Sequence, residues 1–330
     1  MAVYTDITDA ELESFLAEFD LGRLISLKGI AEGVSNSNFL LETDRARFIL
    51  TLYEARAKAE DLPYFLDLML WLGRHDYPAP TPQADRAGRM LKQLAGKPAA
   101  LVSFLSGVSV KKPSASHCRE AGEALAWLHL ATRGFGGYRA NDLGQPHWAG
   151  MFDTCRSAAD RLRPGLAAEI DDDLMLLQAA WPKGLPEGVI HADFFPDNVF
   201  FLGGKFAAAI DFYFAANDAL AYDLAVCLNA WCFEPDGSFN VTKARGLVAG
   251  YQARRPLSVE EREALPILAH GAAMRFFLTR MIDWGATPAG ALVKPHDPME
   301  YGAKLAFHRA SRGRLDLFAP ENRASGTVAP

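Results

Sequence analysis

The sequence predicts an α+β fold of two unequal lobes, a small β-rich N-terminal lobe and a larger, mainly helical C-terminal lobe. Three observations carry that expectation. Short apolar runs separated by polar turns dominate the first hundred residues. Helical periodicity takes over after Gly107. One strand-rich island, from Gly188 to Ile210, interrupts the helices. The lobes are expected to span residues 1–104 and 105–330. Their junction, Val102–Gly107, is too apolar for a flexible linker and reads as a tight hinge.

The elements follow in order. Asp9–Phe19 places Leu12, Phe15, Leu16 and Phe19 on one helical face. Leu24–Lys28 reads as a strand. Asn38–Glu42 and Arg47–Tyr53 read as two more, around the polar turn Thr43–Ala46. Leu62, Phe65, Leu66, Met69 and Leu70 recur at helical spacing, and Pro63 suits a first helical turn. Met90–Leu94 and Ala99–Leu105 complete the strands of the first lobe. Helices are expected over Ser116–Thr132, over Met151–Ala180 and from Tyr222 onward. Within the island, Gly188–His191, Asn198–Leu202 and Phe206–Ile210 read as strands, with Gly203-Gly204 as a two-residue hairpin turn.

Composition narrows the function. The 330 residues are 50% hydrophobic and 22% charged, which suits packed cores and excludes a disordered or collagen-like chain. The net charge is −6 and no basic block is present, so a nucleic-acid partner is not expected. A small molecule or another protein is. Cys118, Cys155, Cys227 and Cys232 form no CxxC pair and read as buried small hydrophobes in a reducing compartment. The N-terminus has acidic residues where a signal peptide needs a basic and then an apolar run. Leu265–Ile282 is interrupted by His270, Arg275 and Arg280, so it is not read as a membrane span. A cytoplasmic protein without membrane contact is expected; its oligomeric state is not legible. The polar tail after Arg312 is expected to fray.

The island also carries the chemistry. His191-Ala-Asp193-Phe-Phe-Pro-Asp197-Asn198 is followed, after the hairpin, by Ile210-Asp211-Phe212. Asp193 and Asn198 share one loop between strands, and Asp211 ends the next strand. Two carboxylates and an amide oxygen are thereby expected at one mouth. Hard oxygen ligands of this kind suit Mg²⁺ held together with substrate phosphates. The remaining carboxylate, Asp193, can accept or orient a hydroxyl proton. Phosphoryl transfer asks little more of a protein than positioning and charge neutralisation.

The HxDxxxxN…IDF pattern resembles the catalytic and metal loops of the aminoglycoside phosphotransferase/choline kinase group, relatives of the protein kinases. Tyr222-Asp223-Leu224-Ala225 fits the same group. Further segments narrow the resemblance to its homoserine kinase branch: GIAEGVSNSNF (29–39), FILTLYE (48–54), DLPYFLDLM (61–69), GKPAALVSFLSG (96–107), YDLAVCLNAWC (222–232) and RFFLTR (275–280). Together these cover nearly the whole chain. The resemblance implies a bilobal, protein-kinase-like fold and ATP- and Mg²⁺-dependent phosphorylation of L-homoserine in threonine biosynthesis. It implies Asp193 as the catalytic aspartate, Asn198 and Asp211 as Mg²⁺ ligands, and His191 as a brace of the catalytic loop. Gly29–Asn38, with Gly33, Ser35, Asn36, Ser37 and Asn38, would cover the ATP phosphates. Val102–Leu105, including Ser103 and Phe104, would border the adenine. Other acceptors (choline, an aminoglycoside) and an inactive kinase-like binding module stand as alternatives.

One departure concerns the third strand. Period-two alternation puts Ile49 and Thr51 on one face and Phe48, Leu50 and Leu52 on the other. Thr51 therefore stands where protein kinases carry a lysine that meets the phosphates, and a hydroxyl cannot neutralise their charge. Lys58, Arg56 or loop amides are the candidate substitutes. Homoserine is a zwitterion, so its carboxylate needs a cation or amides and its ammonium an anion or carbonyls. Arg275 and Arg280, beside an apolar stripe on one helix, are candidates for the carboxylate; Trp231, Asn229 and Asp283 are weaker ones. Asp223 is expected to cap its helix and brace the catalytic loop. Trp127 and His129 read as core packing, and Asp297 as a helix cap.

Overall fold

The computed structural model of the protein describes residues 5, 7–30, 36–54, 58–286 and 295–318. The N-terminal lobe opens with helix α1 (Asp9–Leu16), capped by Thr8 and Glu11 in a reciprocal capping box. Strands β1 (Leu24–Gly29), β2 (Asn36–Thr43) and β3 (Arg47–Tyr53) follow, then helix α2 (Leu62–Arg74), β4 (Lys92–Leu94) and β5 (Lys97–Ser103). They form one antiparallel five-stranded sheet in the order β1-β2-β3-β5-β4.

The predicted alternation of β3 sorts the two faces of this sheet. Phe48, Leu50 and Leu52 join Phe39, Leu41 and Leu101 in a small apolar core closed by Leu12 and Phe15 of α1. Tyr53, Ala100 and Val102 instead belong to the large core that runs through α2 into the rest of the molecule. The opening helix ends at Leu16, short of the predicted Phe19. Phe19 still enters the small core, which is what its apolar spacing reported.

The second lobe contains α3 (Ala115–Ala131), α4 (Trp148–Leu162), α5 (Leu166–Ala180), β6 (Glu187–Ile190), β7 (Val199–Leu202), β8 (Lys205–Ala209), β9 (Ala216–Ala219), α6 (Leu220–Trp231), α7 (Val241–Arg254), α8 (Val259–Ala286) and α9 (Pro298–Ser311). The helical stretch 151–180 is two helices, broken where Gly165 takes a φ of 80°. The expected β7–β8 hairpin turns on Gly203 and Gly204, both at positive φ. Strand β9 was not legible in the sequence. It pairs antiparallel with β6, so the island is two separate two-stranded sheets. Its sequence, Ala216-Asn-Asp-Ala219, lacks the apolar and β-branched character that marks a strand. Helix α8 begins earlier than its apolar stripe suggested and runs through Pro266.

The junction between the lobes is pinned. Val108 and Phe201 exchange backbone hydrogen bonds of 3.1 and 2.9 Å. At Gly107 a Cβ would lie 2.7 Å from the Cβ of Phe200, so the backbone passes too close for a larger residue. All four cysteines are free and buried, as expected from their spacing. Among the described residues no helix is long and apolar enough to cross a membrane. The tail from residue 319 lies outside the described residues.

Candidate active site

The catalytic loop connects β6 to β7 and is fixed from below. Asp223, fully buried on α6, accepts the backbone N–H of His191 at 2.7 Å and that of Ala192 at 2.9 Å. His191 donates from Nε2 to the Ile210 carbonyl at 2.9 Å, and its Nδ1 accepts the Asp193 N–H at 3.3 Å. This pair of bonds assigns a neutral Nε2–H tautomer, and burial depresses the imidazole pKa. His191 thereby bridges the two loops. Trp231 braces a third point, donating its indole N–H to the Phe194 carbonyl at 2.7 Å.

Asn198 and Asp211 flank Asp193. The Asn198 amide nitrogen is spent on the carbonyl of Asp193 (2.9 Å) and on its carboxylate (3.1 Å), which leaves Oδ1 as the atom that could serve a cation. Ile210 N–H bonds the Asn198 carbonyl at 2.9 Å, so Asp211 starts next to Asn198. Ala192 and Asp211 both hold positive φ, 61° and 63°. Non-glycine residues adopt that conformation at a cost of about 1–3 kcal/mol each when it is imposed by the surroundings.

The carboxylates lie in a recess short of counter-charge. Burial pushes Asp193 up to about 7, Arg275 opposes that shift, and Asp211 and Asp197 add to it. Burial pushes Asp211 up to about 6, against a hydrogen bond from the Tyr213 backbone and with Asp197 adding to it. Asp211 forms no ion pair among the described residues. The described residues also contain no cluster of three or more His, Cys, Asp or Glu able to hold a metal alone. A hard-oxygen pair, Asn198 and Asp211, beside unneutralised carboxylate charge fits a divalent cation shared with phosphates.

Across the cleft, β3 presents Thr51. Its hydroxyl donates to Asn38 Oδ1 at 2.8 Å, and it is a polar neighbour of Tyr213, two residues beyond Asp211. The Tyr53 and Tyr213 hydroxyls pair at 3.1 Å. Tyr213 was not singled out from the sequence; its place directly after Ile210-Asp211-Phe212 was the available signal. Register puts Asn36 and Asn38 on the Thr51 face. It puts Ser37 on the opposite face, fully buried, with its hydroxyl donating to Glu54 at 2.9 Å. The expectation that Ser37 reaches phosphate is therefore corrected: strand alternation turns it away from the cleft. Ser103 accepts the Thr81 N–H at 2.9 Å, and Phe104 lies under Arg47, 4.4 Å from its ring centroid. Gly33, Ser35 and Arg56 lie outside the described residues. Lys58 is committed to Asp142 at 3.2 Å.

On the acceptor side the three candidates separate. Arg275 is 3% exposed, its Nη1 donates to the Ala192 carbonyl at 3.1 Å, and it stands 3.9 Å from Asp193 Oδ1. Among the described residues its Nε and Nη2 have no hydrogen-bond partner. Its guanidinium lies over the rings of Phe276 (3.9 Å) and Phe214 (5.2 Å). Arg280 is corrected: it turns to α9, where Glu300 Oε2 holds it at 2.6 Å. Trp231 is corrected as well. It is 1% exposed, its N–H is already used, and it supports the loop rather than facing a substrate. Asn229 is buried and shared between the Ala269 carbonyl and His308, so it too is structural. Asp297 caps α9 as expected.

Comparison with known proteins follows this geometry. Residues 26–257 match the model of the phosphotransferase enzyme family. A homoserine kinase of Caulobacter sp. (strain K31) is 69% identical over 96% of this chain and 99% of its own length. One from Phenylobacterium zucineum (strain HLK1) is 66% identical over 94% and 96%. Among solved structures, the amicoumacin kinase hAmiN in complex with AMP-PNP, Ca²⁺ and Ami aligns with a TM-score of 0.69 at 13% identity, over 93% of each chain. That likeness bears on the fold.

Proposed function

The chain belongs to the homoserine kinases of the phosphotransferase enzyme family, and on that premise we propose how its residues divide the transfer of the ATP γ-phosphoryl group to the side-chain hydroxyl of L-homoserine. The homoserine oxygen attacks the γ-phosphorus in line. An O–P bond forms, the bond to the bridging oxygen of ADP breaks, and the hydroxyl proton passes to Asp193. The products are O-phospho-L-homoserine and ADP. His191 and Asp223 hold Asp193 in place. Asn198 and Asp211 would hold Mg²⁺, which supplies charge neutralisation at the phosphates when bound. Residues 1–104 form the nucleotide side, with Asn36, Asn38 and Thr51 nearest the phosphates and Ser103 and Phe104 at the base. Residues 105–330 carry the catalytic loop and the acceptor pocket. We place the enzyme in the cytoplasm, where ATP is supplied.

The observation that carries the acceptor assignment is Arg275. A buried guanidinium with unused donors, beside the carboxylate that receives the hydroxyl proton, asks for an acceptor that joins an anion to an alcohol. The homoserine carboxylate meets that demand. Choline and aminoglycosides bring positive charge there and would leave the arginine unpaired.

One coupled assay tests this. With Mg²⁺ and ATP, ADP release is expected on adding L-homoserine and not on adding choline or kanamycin. Turnover of choline or kanamycin without homoserine would overturn the acceptor, and ATP binding without turnover of any alcohol would favour a binding module.

A further inference from the structure

A line of buried polar side chains runs from the start of α8 to the catalytic loop; Arg255 donates to both of its neighbours in it, and Asp223 accepts from both sides. Glu261 Oε1 accepts from Arg255 Nη2 at 2.8 Å, and Arg255 Nη1 donates to the Tyr251 hydroxyl at 3.1 Å. The phenolic oxygen is thereby an acceptor, so its proton goes to His129 Nδ1, 2.7 Å away. His129 must then carry its proton on Nε2, which meets Asp223 Oδ2 at 3.1 Å. Asp223 passes the line on through its two bonds to the amides of His191 and Ala192.

Every member is nearly inaccessible: Tyr251 and Asp223 at 0%, Glu261 at 1%, His129 at 2% and Arg255 at 7%. Buried ionic groups of this kind are often no more stabilising than apolar residues of the same shape, while they fix geometry strongly. Tyr251 is the member that decides direction. Without its hydroxyl, Arg255 loses an acceptor and His129 Nδ1 loses its donor. The imidazole can then change its proton position and release Asp223. The order of these bonds was not readable from the sequence, where His129 reads as core.

We propose that Tyr251 is a positioning residue for phosphoryl transfer: by fixing the His129 tautomer it keeps both Asp223 oxygens on the catalytic-loop amides and so holds Asp193 in register. The inference rests on the catalytic reading of Asp193 given above. Tyr251→Phe is expected to lower kcat about tenfold, as for loss of a group that orients a reacting one, with the KM values for ATP and homoserine within about twofold. Deuterium exchange at the 191–193 amides should accelerate in the same variant. His129→Gln can accept from Tyr251 and donate to Asp223, so it should retain more kcat than His129→Leu. Leu166→Ala, a buried position on α5, serves as a destabilised control.

A Tyr251→Phe kcat within twofold of wild type would overturn the proposal. An equal kcat loss in Leu166→Ala at equal loss of Tm would do the same. If wild-type protein proves inactive on homoserine, the functional reading falls. The exchange measurement still decides whether Tyr251 orders the loop.

Discussion

The two faces of the N-terminal sheet are built from the same strands and have different tasks. On one face, Phe48, Leu50 and Leu52 of β3 pack with α1 in a core that touches no reacting group. On the other, Thr51 and Tyr53 reach Tyr213 beside Asp211. Adjacent residues in one strand thus divide between a closed apolar core and the face that meets Tyr213, because successive side chains leave a strand on opposite sides. In the second lobe the division is by depth. Polar groups beneath the catalytic loop hold it, and those above it face the cleft.

The sharpest test of this division is at Asp193, the proposed proton acceptor. Asp193→Ala should lower kcat by about 10²–10⁴-fold, the range for a lost general base, with the protein still folded. A rate near wild type would remove Asp193 from the mechanism. Its opposite on the core face is Leu50→Ala. This change should cost about 2–5 kcal/mol of stability, read by denaturant melts, while both KM values at low temperature stay put. A raised KM for ATP there would show that the faces are coupled.

Arg275→Ala should raise KM for homoserine about 10- to 100-fold, the loss expected for a charge-assisted contact, and leave KM for ATP nearly unchanged. Equal effects on both would put Arg275 outside the acceptor pocket. Thr51→Val keeps shape and removes the hydroxyl. A rise of about two- to tenfold in KM for ATP is expected, one ordinary hydrogen bond's worth. No change would reduce Thr51 to packing.

The smallest effect is on stability against pH. Asp193 and Asp211 sit at about 7 and about 6 in the folded protein, above the ordinary carboxylate value of about 3.9. Between about pH 4 and pH 7 the folded state therefore holds protons that the unfolded chain has released. The stability of the metal-free protein falls as pH rises through that window. Asp193→Asn removes one of the two groups and should raise Tm at pH 8 in EDTA by about 2–4 °C, with no gain at pH 4. A lower Tm at pH 8 would contradict the burial argument.

Local pattern made much of this legible. The Asp193–Asn198–Asp211 constellation, the period-two split of β3, the Gly203-Gly204 hairpin and the Asp297 cap each depend on residues close together in sequence. The acceptor side was only half legible. Arg275 and Arg280 lie on one helix, five residues apart, and nothing in their spacing says which meets the loop and which meets α9. Trp231 was misplaced for a related reason, since the Phe194 carbonyl that uses its indole N–H comes from another segment; Ser37 was misplaced although the strand alternation that turns it from the Thr51 face is a local pattern.

By itself, then, the sequence determined most of the order of elements, the reaction chemistry and the family, because periodicity, turn residues and contiguous motifs are short-range quantities. The tertiary structure alone decided which arginine faces Asp193, that Ala216–Ala219 is a strand, and that His129 is held by Tyr251 rather than idle in the core. Those outcomes depend on groups brought together from distant positions. A hydrogen bond's partner and direction exist only once both ends are in place.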